Sequence, residues 1–108
     1  KRFVEKLDYQ TSPGWLTGGT ARQEAGFQRG GPMAVVTNLG VLRFDEQTKR
    51  MYLDECFPGV TPQEVADNTS FALDISRAGQ SAPPSQAELT ALREQVDPQR
   101  LILGPLPA

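Results

Sequence analysis

The 108-residue chain contains no histidine. That removes Ser-His-Asp and Cys-His catalysis from this polypeptide taken alone, together with ordinary histidine-ligated metal sites. A carboxylate nucleophile stays open. There is one cysteine, Cys56, so no internal disulfide forms, and a reducing, cytoplasmic setting is expected. No apolar run approaches the ~18 residues of a membrane span, and no secretory signal pattern is visible. The formal net charge of −2 gives no electrostatic reason to expect nucleic acid or an anionic membrane as a partner.

What is present suffices for one domain or part of one. A hydrophobic content of 38% with 22% charged residues is a globular balance. The first residue is Lys1 rather than Met, and Phe3, Val4 and Leu7 come at once after it. A fragment or processed piece is therefore expected, the alternative being loss of an initiator Met with further residues.

Residues 3–10 alternate imperfectly between apolar and polar, which predicts a strand or, in competition, a short helix. Thr11-Ser12-Pro13-Gly14 breaks that element. Residues 14–31 hold six of the ten glycines and read as a long loop, with room for a helical turn over Thr20 to Ala25. Met33 to Thr37 is a buried-type strand, continued by Val41 to Phe44 after an irregularity at Gly40. The polar stretch Asp45 to Arg50 turns the chain into a return strand over Met51 to Glu55, giving an antiparallel hairpin. Its core is expected from Val35, Val41, Leu42, Phe44 and Leu53.

Thr61-Pro62-Gln63-Glu64 combines a capping residue, a proline suited to the first helical position and a capping-box glutamate, so a short helix should end near Asn68. Phe71 to Ile75 is a third strand candidate, and residues 76–84 form a polar linker. Ser85-Gln86-Ala87-Glu88 opens a second helix, to about Val96, with Leu89, Leu92 and Val96 on one face and Pro98 as its stop. The tail, 101–108, carries two prolines and is expected to pack on a surface or fray. Strands mixed with two short helices give an α/β class. The few strands leave open edges, which invite pairing with more protein.

Several motifs, taken together, resemble the β subunit of family I CoA-transferases of the glutaconate and 3-oxoacid type, in its C-terminal portion. They are the opening Arg2-Phe3-Val4 … Asp8-Tyr9-Gln10-Thr11-Ser12-Pro13-Gly14, the Gly30-Gly31-Pro32 entry, and the Val35-Val36-Thr37 … Val41 … Phe44-Asp45 strand pair. The helix entry Phe57-Pro58-Gly59-Val60-Thr61 … Glu64-Val65 completes the set. The likeness runs from about Arg2 to Leu73. It departs at Phe57, where many relatives have histidine, and at Ser70, where they usually have glycine. The resemblance implies an open-sheet α/β domain of the NagB/RpiA/CoA-transferase type. Residues 1–75 would form its C-terminal part, and 76–108 a linker, a helix over about 85–96 and a tail.

The resemblance also implies chemistry. CoA moves between an acyl-CoA and a carboxylic acid through a glutamyl-CoA intermediate, with the coenzyme A thioester as substrate and no tightly bound cofactor. The family's catalytic glutamate and glycine-rich oxyanion segment lie outside the matched region, so no catalytic residue and no metal ligand is assigned here, and the chain alone is expected to be inactive. Expected partners are an α-type subunit, the missing N-terminal half of the β subunit, and acyl-CoA. One related branch instead opens rings in CoA-linked steroid fragments by hydrolysis, and a non-catalytic interaction module with the same fold is a third reading.

Candidate residues for the acyl-CoA cleft are Ser12, Gly14, Trp15, Arg22, Glu24 and Arg29. Trp15 offers a flat wall to a cleft, or a side chain packed on the core or a subunit interface. Arg22 and Arg29 could meet a CoA phosphate or a substrate carboxylate, against the plainer reading of solvated loop arginines. Glu24 is the one carboxylate set in the glycine-rich loop, whereas capping accounts for Glu64. The glycine pairs match neither phosphate-loop pattern, and Pro32 removes a backbone N–H there.

Overall fold

The hairpin expected at the centre of the chain is where the core lies. The computed structural model describes residues 3–105. Its elements are α1 (Ala21–Glu24), β1 (Ala34–Val36), β2 (Gly40–Phe44), β3 (Met51–Cys56), α2 (Pro62–Asp67), β4 (Gly79–Gln80) and α3 (Gln86–Thr90), the last running on as a π-helical stretch, Ala91–Val96. The four strands lie in the order β1-β2-β3-β4. The first two pairings are antiparallel and β3–β4 is parallel, giving an open mixed sheet of the α/β class.

One sequence expectation changes at Gly40. Val41 to Phe44 does not continue β1; the chain reverses and β2 pairs back on it, Val35 opposite Leu42. The turn is built on Thr37, whose hydroxyl accepts from the N–H groups of Leu39 and Gly40 at 3.0 and 3.1 Å. Side-chain acceptors of this kind offer the backbone a turn in place of the ladder. Gly40 is buried, and a Cβ there would fall on the Glu55 carbonyl oxygen, so the close approach of β3 requires glycine. The irregularity itself sits one residue on, between Val41 and Leu42.

Leu42 and Leu53 are paired in register and fully buried, joined by Cys56 and by Val65 from α2. Of the expected core, Val35 packs against this cluster, while Val41 and Phe44 are half-buried. Helix α2 is placed by its N-cap: the Thr61 hydroxyl accepts from the Glu64 N–H at 3.2 Å and Pro62 opens the helix.

Two further expectations are corrected. Residues 4–10 form neither strand nor helix; only Phe3 bridges, to Thr69. Val4, Leu7 and Tyr9 are exposed, so no burial offsets the entropy of ordering them. Phe71 to Ile75 is not a ladder strand. Asp74 accepts from Leu53 N–H at 2.8 Å, but its carboxylate also takes the Ser76 N–H and hydroxyl and bends the chain away. The fourth strand, β4, falls instead inside the stretch read as a linker.

The molecule is open. Its radius of gyration is 17.0 Å, against about 13 Å for a compact domain of this length. Its accessible surface is 8389 Å², where a folded monomer of this mass shows about 5,900 Å².

Candidate functional site

The glycine-rich loop folds onto the turn end of the β2–β3 hairpin, with Trp15 as its anchor. Gly14 sits at φ +56 and turns the chain so that Trp15 lies under the loop's far end. The indole N–H donates to the Pro32 carbonyl at 3.0 Å. Its ring meets Phe44 with centroids 6.3 Å apart, tilted by 60°. Gly31 lies flat against the indole: a Cβ there would come within 2.5 Å of the ring, and φ is +127. The Lys49 ammonium stands 4.9 Å from the ring centre. A second anchor ties the loop to the turn, where the Thr48 carbonyl accepts from Gly19 N–H at 3.0 Å.

Arg22, on α1, closes the loop from inside. Its guanidinium donates to the Gly14 carbonyl at 2.9 Å and to the Arg29 carbonyl at 3.3 Å. It lies 4.9 Å from the Phe27 ring centre and 5.9 Å from that of Trp15. Its Nε is buried and meets no acceptor. Arg22 is therefore a half-buried clamp rather than a solvated arginine.

Of the six candidates from sequence, Gly14, Trp15 and Arg22 come together, with Arg29 contributing its backbone carbonyl. Ser12 is exposed, and its carbonyl accepts from the Gln10 side chain. Glu24 is exposed and accepts from the Thr20 hydroxyl at 2.6 Å. The Trp15 environment also contains Gly31, Phe44, Thr48 and Lys49, which sequence reasoning missed. They lie 16 to 34 positions downstream of Trp15. The available signal was the Gly30-Gly31 pair, because close approach of backbone to a flat ring needs glycine.

On the other side of the hairpin turn, Arg77 spans two aspartates. It pairs with Asp45 at 2.9 Å and with Asp74 at 3.5 Å, and stacks 4.4 Å from the Tyr52 ring centre. Asp45 is held far below the ordinary carboxylate range, first by the Thr48 N–H, then by Arg77, the Thr48 hydroxyl and the Gln47 N–H. Asp74 is lowered by the Ser76 hydroxyl and N–H. Both have their oxygens engaged by local donors, the state of structural acceptors rather than general acids. Burial, then the nearby Glu64, pushes the Cys56 thiol up, so it is a poor nucleophile. Among the described residues no cluster of three His, Cys, Asp or Glu is placed to hold a metal ion.

A cleft of about 660 Å³ opens on the opposite flank, between Phe3, the Thr37–Leu39 turn, and Val65, Asn68 and Thr69 of the α2 region. Phe3, Leu39 and Val65 give it apolar walls, and Thr37, Asn38, Asn68 and Thr69 line the rest.

Residues 1–68 match the family model described as Coenzyme A transferase. The chain belongs to the coenzyme A transferase family. The B subunit of glutaconate CoA-transferase from Acidaminococcus fermentans is 46% identical over 99 residues, 91% of this chain and 37% of that one. The crystal structure of glutaconate coenzyme A-transferase from the same organism matches 98% of this chain and 41% of its own, with a TM-score of 0.91 at 43% identity. The B subunit of 3-oxoadipate CoA-transferase from Pseudomonas knackmussii is 33% identical over 94 residues, 86% of this chain and 36% of that one. The cholesterol ring-cleaving hydrolase IpdB subunit of Rhodococcus jostii is 41% identical over 68 residues, 62% of this chain and 27% of its own. This chain thus spans little more than a third of the length of the CoA-transferase subunits it matches. Among the described residues no helix is long and apolar enough to cross a membrane.

Proposed function

We propose that this chain is a portion of the B-type subunit of a CoA-transferase acting on acyl-CoA thioesters. The observation that carries this is the 46% identity to the B subunit of a glutaconate CoA-transferase over 91% of the chain. In this reading a glutamate outside the chain attacks the thioester carbonyl, releasing CoA thiolate and leaving an acyl-glutamyl anhydride. The thiolate then attacks the glutamyl carbonyl, the first carboxylate departs, and a glutamyl-CoA thioester remains to run the same steps backward on a second acid. The chain's own part is structural. Its sheet extends that of the whole subunit, and the Trp15–Arg22 loop supplies a fixed wall near the cleft. The partner is an A-type subunit in a hetero-oligomer, and the buried free thiol of Cys56 suits a cytoplasmic setting.

A second reading, ring-opening hydrolysis of a CoA-linked steroid fragment, draws on the 41% identity to IpdB over 68 residues. One experiment separates the two. The subunit containing this chain is co-expressed with its A-type companion and given an acyl-CoA with and without a free carboxylic acid. The transferase reading expects new acyl-CoA only when the acid is present, and no turnover by this chain alone. Carbon–carbon cleavage without an acceptor acid would install the hydrolase reading. Turnover by the isolated chain would overturn the structural role.

A further inference from the structure

The segment 14–31 is wound up on itself before it meets the sheet. Its backbone N–H groups are largely taken up within it: Gly18 donates to the Trp15 carbonyl, Ala21 to Gly18, Glu24 to Thr20, Ala25 to Ala21, Gly26 to Gln23 and Phe27 to Arg22, at 2.9 to 3.1 Å. Two side chains draw its ends together. Arg22 donates to the Gly14 carbonyl at one end and to the Arg29 carbonyl at the other. The Trp15 indole N–H crosses the same gap to the Pro32 carbonyl. These bonds form the neck of a compact surface loop whose ends lie close together.

Little else holds the segment down. Helix α1 contributes no buried residue, and among the described residues no strand or other helix packs firmly against it. Among those residues the backbone of the segment is bonded to the hairpin only by Gly19 N–H on the Thr48 carbonyl. Leu16 and Phe27 are both exposed. The hairpin beneath has the opposite character, with Leu42 and Leu53 fully buried in an apolar cluster. Segments with few buried apolar contacts occupy the low end of a protein's stability range and open without global unfolding.

The closed state also carries costs of its own. The Arg22 Nε is buried and meets no acceptor, although both other guanidinium nitrogens are bonded. A charged donor shut away from water without a partner opposes the arrangement that buries it. Leu16 adds backbone strain, with φ at +54. Gly14 and Gly30, at φ +56 and +70, supply backbone freedom at the two ends.

We infer that residues 14–31 form a strap that opens and closes as one cooperative unit over the intact hairpin, with the Arg22 guanidinium as its latch. Opening gives Nε to water, releases the Gly14 and Arg29 carbonyls, and lifts the Trp15 ring from Phe44 and Lys49. The inference rests on contacts within the chain and not on the transferase reading.

The test is native-state amide hydrogen exchange of the purified chain, read by NMR. The N–H groups of Gly19, Ala25, Gly26 and Phe27 and the Trp15 indole N–H should share one level of protection, roughly tenfold or more below that of Leu53, whose N–H is bonded to Asp74 over the core. Arg22→Gln should lower the strap's protection by a further factor of about ten and leave Leu53 within about threefold. Arg22→Lys, which keeps the charge but lacks the fork that reaches both carbonyls, should lower it less. Strap groups as protected as Leu53 in the wild type would make strap and core one unit and overturn the inference. So would unequal protection along the strap, or an Arg22→Gln chain whose strap exchanges as the wild type's does. An Arg22→Gln chain that loses Leu53 protection to the same extent, or does not fold, would show Arg22 supporting the whole fold and overturn it too.

Discussion

In the β2–β3 hairpin, Leu42 and Leu53 face each other in the ladder and see no solvent, whereas in the C-terminal arm, the helix from Gln86 to Val96 and the turn after it, Leu101 and Ile102 stand almost wholly in it. The two regions use aliphatic side chains in opposite ways. In the hairpin, strand register chooses the buried face, and Cys56 and Val65 close over it. In the arm, a buried carboxylate fixes the backbone and thereby the outward direction of the side chains. Apolar content therefore does not say which way a segment faces; the groups that fix its backbone do. The hairpin's order comes from burial within the chain, the arm's from polar bonds that leave its apolar surface available.

The largest effect should come from emptying the hairpin core. Leu53→Ala removes a fully buried side chain from a cluster of four, and large-to-small changes at such sites cost about 2–4 kcal/mol. Urea unfolding monitored by circular dichroism should show the midpoint fall with little change in slope. A loss below about 1 kcal/mol would mean that the core collapses around the gap and that the contrast with the arm is weaker than drawn.

The hairpin was legible in the sequence because turn and strand signals agree there: Asp45 to Arg50 supplies the turn, and Leu42 and Leu53 the burial. Both helix starts were legible because capping is a local code, read over four residues at Thr61 and at Ser85. The reversal at Gly40 was not. Thr37 gives no sign in sequence whether its hydroxyl will serve a turn or face solvent on a continuing strand. Nor was β4, whose two residues pair only because the Asp74 bend delivers them beside β3. At the candidate site, the motif segment around Trp15 was visible, but the partners that decide its role come from Gly31 and from the hairpin, a tertiary fact. Arg22 was misread for the same reason, since its acceptors are carbonyls brought near only by the closed loop.

The Trp15 loop stands between the two extremes, ordered by mixed contacts, and should respond at an intermediate level. Gly31→Ala introduces a side chain at φ +127 and drives its Cβ into the indole. Strained backbone of this kind costs on the order of 1–3 kcal/mol. The indole is the chain's single tryptophan, so displacement should also shift its emission to the red. Unchanged emission with unchanged stability would show that the loop is not seated on the hairpin as described.

Acid should loosen the polar supports while leaving the apolar core alone. Asp45 and Asp74 at the hairpin turn, and Asp97 in the arm, all hold their protons less tightly in the folded state. For Asp97 the leading cause is the Leu103 N–H, with Ile102 and Leu101 adding to it against burial. A depressed carboxylate contributes stability that is complete above its unfolded value, near pH 4, and is lost as pH falls through the lower folded value. The melting temperature should therefore be flat from pH 7 to about 5 and fall below about 4. Asp45→Asn should shallow that fall. A midpoint that instead drops between pH 7 and 6 would point to groups other than these.

The smallest effect should come from Leu101, the most exposed leucine among the described residues, and it sharpens the contrast most. Leu101 is 81% exposed, and its part in holding the turn after the helix is its backbone N–H, which the Asp97 carboxylate accepts and which alanine retains. Leu101→Ala should therefore change the stability of the dilute chain by no more than about 0.5 kcal/mol, as surface substitutions do. Chemically the same truncation as Leu53→Ala, it removes a side chain that the single chain leaves in water. Urea unfolding of the dilute chain, monitored by circular dichroism, reads that difference. A loss of about 2 kcal/mol would place Leu101 in a core within its own chain and erase the distinction between arm and hairpin.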